Sequence, residues 1–215
     1  MWQVAGGYLW PTDVGTVFLQ LWKAESGTYE REFEVVRLLL KCGANVNRRG
    51  GGGLTALHVA VRQAIHLGEK PPMVDMLLAN GADMDLTDED GSTPLHYAAA
   101  PSEIGVADVI KALLQHGAAI DAADKNGLTP LHITARNEAL EASNDLTDHG
   151  ADCCALSRVG ITPLTNDVIN SHQGIVELML RHNGPSILKD APGWGPLRSS
   201  ATQFDSRLFI TQAPG

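Results

Sequence analysis

The stretch Ser92-Thr-Pro-Leu-His96 decides the fold, because it recurs. Leu54-Thr-Ala-Leu-His58 precedes it, Leu128-Thr-Pro-Leu-His132 follows it, and Ile161-Thr-Pro-Leu-Thr165 is a worn fourth copy. The threonines Thr55, Thr93, Thr129 and Thr162 stand 38, 36 and 33 residues apart. Between them runs a second motif, Leu-Leu-x-x-Gly-Ala, at 39–44, 77–82 and 113–118, with a degraded copy at 146–151. From its glycines Gly43, Gly81, Gly117 and Gly150 the next threonine is always 12 residues on, whereas threonine to glycine varies as 26, 24 and 21. A recurrence of this period marks an array of helical pairs, each of which buries its apolar side only against its neighbours. The constant segment is then the turn joining one unit to the next. The variable segment links the two helices of a unit, where extra residues near 68–72 and 101–103 can bulge without disturbing the stack.

Each recurrent residue has a structural role. The threonines stand where helix N-caps belong, with Pro94, Pro130 and Pro163 at the first helical position. His58, His96 and His132, three residues on, can bond back to the cap hydroxyl in a variant of the capping box; Thr165 replaces the histidine in the last copy. Gly53, Gly91, Gly127 and Gly160 fall in the turn before each threonine and read as positions of positive φ, while the glycines at 43, 81, 117 and 150 end helices in the left-handed conformation. His116, His149 and His182 each precede such a terminus, where a protonated ring would favour the helix dipole. Cys153 takes the slot of Val46, Met84 and Ile120 and reads as a buried apolar stand-in. The run Arg48-Arg-Gly-Gly-Gly-Gly53 lacks the Lys-Ser/Thr of a phosphate loop and coincides with a turn tip.

The pattern resembles the ankyrin repeat, whose consensus runs Asp-x-x-Gly-x-Thr-Pro-Leu-His-x-Ala and, later, Val-Val-x-Leu-Leu-x-x-Gly-Ala. The resemblance spans about residues 16–200. It implies an all-α ankyrin-repeat solenoid of stacked helix-turn-helix units with projecting hairpin loops, slightly curved, that binds other proteins. In that register the chain is one array over 1–215. It holds a degenerate N-terminal repeat at 16–49, repeats at 50–87, 88–123, 124–156 and 157–189, and a partial C-terminal cap at 190–215. The first unit would pair a helix over 17–24 with one over 31–41. In the fourth unit a second helix over 138–149 places Ser143 and Asp145 where other units carry Val36 and Leu38, Val74 and Met76, or Ile110 and Ala112, making it the weak interface of the stack.

Composition narrows the function. The 215 residues are 44% hydrophobic and 19% charged, a globular composition, and 16 basic against 25 acidic residues give a net charge of −9. That balance argues against a nucleic-acid or anionic-membrane surface. No stretch free of charged residues exceeds 12, too short to span a membrane, and Met1 to Trp10, with no basic start and Gly6-Gly7 in its middle, makes a poor signal peptide. Three cysteines suggest no disulfide framework. No nucleophile, zinc or nucleotide motif appears, so the expectation is a non-catalytic, monomeric, intracellular protein without cofactor or metal.

The function implied by the resemblance is a scaffold or adaptor that holds another protein on its concave surface of hairpin tips and first helices. The alternative is a substrate-recognition or regulatory module of a larger enzyme or ubiquitin-ligase assembly. Carried across in register, the contact positions are Arg62 and Gln63, then Glu89, Asp90 and Ser92, then Lys125, Asn126, Leu128, Arg136 and Asn137, and finally Arg158 and Val159. Residues 88–156 alone carry −9 (three basic, twelve acidic), and Asp85, Asp88, Glu89 and Asp90 cluster at one hairpin. A partner with a basic segment is expected to dock there.

Overall fold

The computed structural model describes residues 2–5, 8–11, 29–67, 72–100, 106–170 and 172–183. The expected helix over 17–24, the cap over 190–215 and both bulging loops lie outside these residues, apart from Pro72. Nine helices are described: α1 (Tyr29–Lys41), α2 (Ala56–Leu67), α3 (Pro72–Ala79), α4 (Pro94–Ala99), α5 (Val106–Gln115), α6 (Pro130–Arg136), α7 (Leu140–Asp148), α8 (Pro163–Asn170) and α9 (Gln173–Asn183). Pro72 opens α3, the position in which a proline costs no helical hydrogen bond. Ahead of the helices is an element the sequence pattern did not flag. Strands β1 (Trp2–Ala5) and β2 (Tyr8–Pro11) pair antiparallel, with Ala5 opposite Tyr8 and Trp2 opposite Pro11.

The helices form an array because the same residues recur at the same contacts. First helices α2, α4, α6 and α8 pack in succession, second helices α5, α7 and α9 pack beside them, and each first helix also packs on the second helix of its own unit. Leu57, Leu95, Leu131 and Leu164, the motif leucines, are fully buried in one line. Ile110 and Leu113, Leu146, then Ile175 and Met179 continue the core along the second helices, and Val36 and Leu39 of α1 join its N-terminal end. Each such leucine contributes roughly 1.5–3 kcal/mol by leaving water, and none could do so without a neighbouring unit to cover it.

Capping follows the expected scheme. Thr93 and Thr129 carry capping boxes in which the threonine side chain accepts from the backbone of the histidine three residues on, and that ring accepts from the threonine N–H. The eight motif glycines all adopt positive φ. At three of them more than φ is at stake: a Cβ would stand 2.9 Å from the Glu89 nitrogen at Gly53, 2.9 Å from that of Lys125 at Gly91 and 2.8 Å from that of Arg158 at Gly127, so adjacent turns approach too closely for any side chain. Cys153 is buried at 1% exposure, as its slot requires.

Helix α7 departs from the other second helices. It begins at Leu140, because Glu138 takes φ 56° in the connection from α6, a conformation that glycine adopts without cost and glutamate does not. Ser143 is completely buried and its Oγ has no hydrogen-bond partner among the described residues. Asp145 is turned inward at 8% exposure, and its Oδ1 lies 3.3 Å from Lys111 Nζ on α5. The carboxylate at the stacking position is therefore paired across the unit boundary, which offsets part of its desolvation.

Candidate functional site

The site is built from the turns that join units, and the histidines set their height. In each of three units the threonine N–H donates to the histidine Nδ1, over 3.2, 3.1 and 3.1 Å. With Nδ1 accepting, Nε2 carries the proton and donates forward to the next unit: His58 to Ser92 O at 3.0 Å, His96 to Leu128 O at 3.0 Å and His132 to Ile161 O at 2.9 Å. Burial holds the three rings below the usual imidazole range, because the charged form would be desolvated. The intra-unit half of this ladder is legible in the motif. The inter-unit half is not, although its acceptors stand one residue before each threonine. Thr165 ends the ladder: its hydroxyl shares a 2.9 Å hydrogen bond with that of Thr162.

Above the histidines the turns link to each other through their backbones. Glu89 N donates to Gly52 O at 2.9 Å, Lys125 N to Asp90 O at 2.9 Å and Arg158 N to Asn126 O at 2.8 Å. Within a turn, Asp88 Oδ1 accepts from Asp90 N and Ser92 N, and Asp124 Oδ1 from Asn126 N and Leu128 N. One backbone hydrogen bond thus ties each tip to the next, and the tip side chains face outward. Glu89, Asp90, Lys125, Asn126, Arg158 and Val159 are exposed in that order along the row, Val159 at 78%. The tip at Gly51 and Gly52, a short 3-10 turn, presents no side chain at all.

The remaining expected residues divide. Ser92 and Leu128 are half-buried and lie one step below the tips, their carbonyls taken by the histidines. Arg62 is half-buried on α2. Gln63 is buried at 6% exposure and leaves the candidate surface. Arg136 and Asn137 stand at the opposite end of the first helix from the tips; Arg136 is exposed, and Asn137 Nδ2 donates to Ala100 O of the preceding unit. The acidic cluster also divides. Asp88 is buried, bracing its turn and accepting from Tyr97 OH at 2.7 Å, and Asp85 Oδ1 accepts from Ala119 N at 2.8 Å. Only Glu89 and Asp90 of the four stand at the tip, because the other two brace the backbone of the array.

Tyr97 is the residue that the motif reading passed over. It is half-buried on α4, its ring meets His58 edge-on at 5.4 Å, and burial with the Asp88 hydrogen bond pushes its phenol up to about 12. It stands one residue past the repeated histidine, a slot that Val59, Ile133 and Asn166 fill differently, and that variability was the available signal.

A second buried polar group lies off this surface. Asp167 of α8 takes the slot of Ala60, Ala98 and Thr134 and is completely buried. Its Oδ1 is 3.2 Å from His172 Nδ1, which also donates to Ala135 O at 2.8 Å, and its Oδ2 has no partner among the described residues. Burial pushes its carboxyl up to about 7, against a smaller lowering by His172. No group of side chains among the described residues has the composition to hold a metal ion, and no described helix is long and apolar enough to cross a membrane.

Comparison with known proteins agrees with the geometry. Residues 62–157 match a family model for ankyrin repeats in three copies. The chain is 43% identical over 79 residues to the nuclear factor NF-kappa-B p105 subunit of Gallus gallus, covering 36% of this chain and 8% of that protein. It is 32% identical over 175 residues to ankyrin repeat and SOCS box protein 16 of Homo sapiens, covering 77% and 37%. With the human transient receptor potential cation channel subfamily A member 1 it shares 30% identity over 180 residues, covering 81% and 16%. The chain therefore spans less than half the length of each of these relatives.

Proposed function

Because the chain is an ankyrin-repeat protein, a family that generally mediates protein–protein interaction and is generally non-enzymatic, we propose that it is a scaffold or adaptor that holds a partner protein against its hairpin tips and first helices. The observation that carries this is the row of tips. Backbone hydrogen bonds join each tip to the next, and the tip side chains are exposed and chemically varied from unit to unit. Buried positions repeat because packing dictates them. The tips do not repeat, as expected of positions free to serve a ligand. Glu89 and Asp90 offer the steering field for a basic segment of the partner, and Tyr97 with Arg62 supplies a half-buried floor beneath them. We read the chain as a monomer of the cytoplasm or nucleus that uses neither metal nor cofactor.

The test is affinity capture with the full chain, followed by binding of the recovered protein to a variant with Asp90→Ala, Asn126→Ala and Val159→Ser. About tenfold weaker binding supports the proposal. Unchanged binding to this variant, with loss on substitutions in the second helices, contradicts it. The likeness to a protein carrying a SOCS box favours one second reading, the substrate-recognition module of a ubiquitin-ligase assembly. Ligase subunits among the captured proteins would distinguish it.

A further inference from the structure

We infer that the row of tips reads an extended polypeptide segment of defined charge order: a basic residue against Glu89 and Asp90, an acidic residue against Lys125, and an apolar residue against Val159. This rests on the reading of the hairpins as the binding face and goes beyond it, since it names what the partner must present and in which sequence. The order of the tips is set by their backbone hydrogen bonds, Asp90 to Lys125 and Asn126 to Arg158. The row therefore changes sign between the second and third tips and ends on Val159, the most exposed of the large hydrophobic residues described. At its other end Gly51 and Gly52 add no side chain, so recognition begins at Glu89.

Rigidity makes this order usable. A Cβ on Gly91 would stand 2.9 Å from Lys125 N, and one on Gly127 would stand 2.8 Å from Arg158 N, so consecutive tips are locked in contact. Such a row is organised before a ligand arrives and loses little freedom on binding. Its length fits an extended chain. Packed helices stand about 8–10 Å apart, so the three tips span roughly 20 Å. A strand rising about 3.3 Å per residue covers this in about six residues, meeting a new tip about every third residue. A segment with the reverse order would set lysine against Lys125 and glutamate against Glu89, and like charges at those points reject it.

The experiment pans a random-peptide library displayed on phage against the full chain. Two variants are panned in parallel: Lys125→Glu alone, and Glu89→Lys with Asp90→Lys, Lys125→Glu and Arg158→Glu, each first shown to keep its helical signal. Peptides enriched on the unmodified chain should carry a basic and an acidic residue about three positions apart, with an apolar residue about three further on, in either chain direction. They should bind the fourfold variant about tenfold or more weakly, and that variant should select the inverted order. Peptides lost on Lys125→Glu but without this spacing would overturn the charge order and leave the hairpin surface standing. Peptides bound equally by all three proteins, yet lost when the exposed Glu141→Lys and Arg181→Glu alter the second helices of a variant that keeps its helical signal, would overturn both.

Discussion

Glu138 shows what a single residue contributes, because its backbone rather than its side chain sets its cost. At φ 56° it occupies a region that costs an L-residue about 1–2 kcal/mol, partly recovered because glutamate is less flexible than glycine when unfolded. Glu138→Gly should therefore raise stability by about 0.5–1 kcal/mol in urea denaturation, and an unchanged or lower midpoint would count against the strain. Two glycines separate strain from crowding. Gly117 has positive φ with open space around it, whereas Gly127 has positive φ and the backbone of the next turn against it. Gly117→Ala should cost about 1 kcal/mol and Gly127→Ala at least about 2 kcal/mol, measured the same way. Equal losses would mean that the turns can part. The repeated threonines, histidines and glycines were legible because each appears several times at one register. Glu138 was not, since one glutamate in a connection carries no sign of its φ. Asp88 could have been read as structural, because Asp124 stands at the same place in the next unit. Counting it as surface charge overlooked that repetition.

Among elements, α7 is the weak one. Three other second helices place Val36, Val74 and Ile110 at the position of Ser143, and all three are fully buried. Ser143 brings a buried hydroxyl without a partner and too little apolar volume, and Asp145 next to it depends on a half-exposed lysine. In a nearly one-dimensional stack such an interface opens before the rest. Amide exchange should be faster across Leu140–Asp148 than across Pro72–Ala79 and Val106–Gln115, and Ser143→Val should slow it and add about 1 kcal/mol. Equal protection in the three helices would remove the argument. This weakness was visible in the sequence once the units were aligned. What alignment did not supply was the partner of Asp145, since Lys111 lies on a different unit and no local pattern joins the two. The hairpin β1–β2 was equally out of reach, because it stands outside the repeat from which every other element was inferred.

At the scale of the whole molecule, two buried systems give stability opposite pH slopes. The three ladder histidines have folded values lowered below 6.5, so their contribution is present above that pH and is lost as the pH falls through the lowered values. Asp167 is raised from 3.8 to about 7, so its contribution is present below 3.8 and is lost as the pH rises to about 7. Asp167→Asn should remove the second slope and leave the first. The variant should be about 2 kcal/mol or more stabilised relative to the parent at pH 8, with little difference at pH 4. A parallel offset at both pH values would show that the carboxyl does not titrate in the folded state.

The same scale decides the function, since partner binding draws on the field of the entire row. Charges at the rim of an interface act mainly on the rate of encounter, and that action is screened by salt. The most direct measurement is the association kinetics of the captured partner with the full chain and with Glu89→Lys/Asp90→Lys, each at low and at physiological salt. The account predicts association that slows with salt for the unmodified chain, about tenfold slower association for the double variant at low salt, and a dissociation rate that changes less. An association rate indifferent to both salt and the charge reversal would contradict the claim that the hairpin row is where this protein meets its partner.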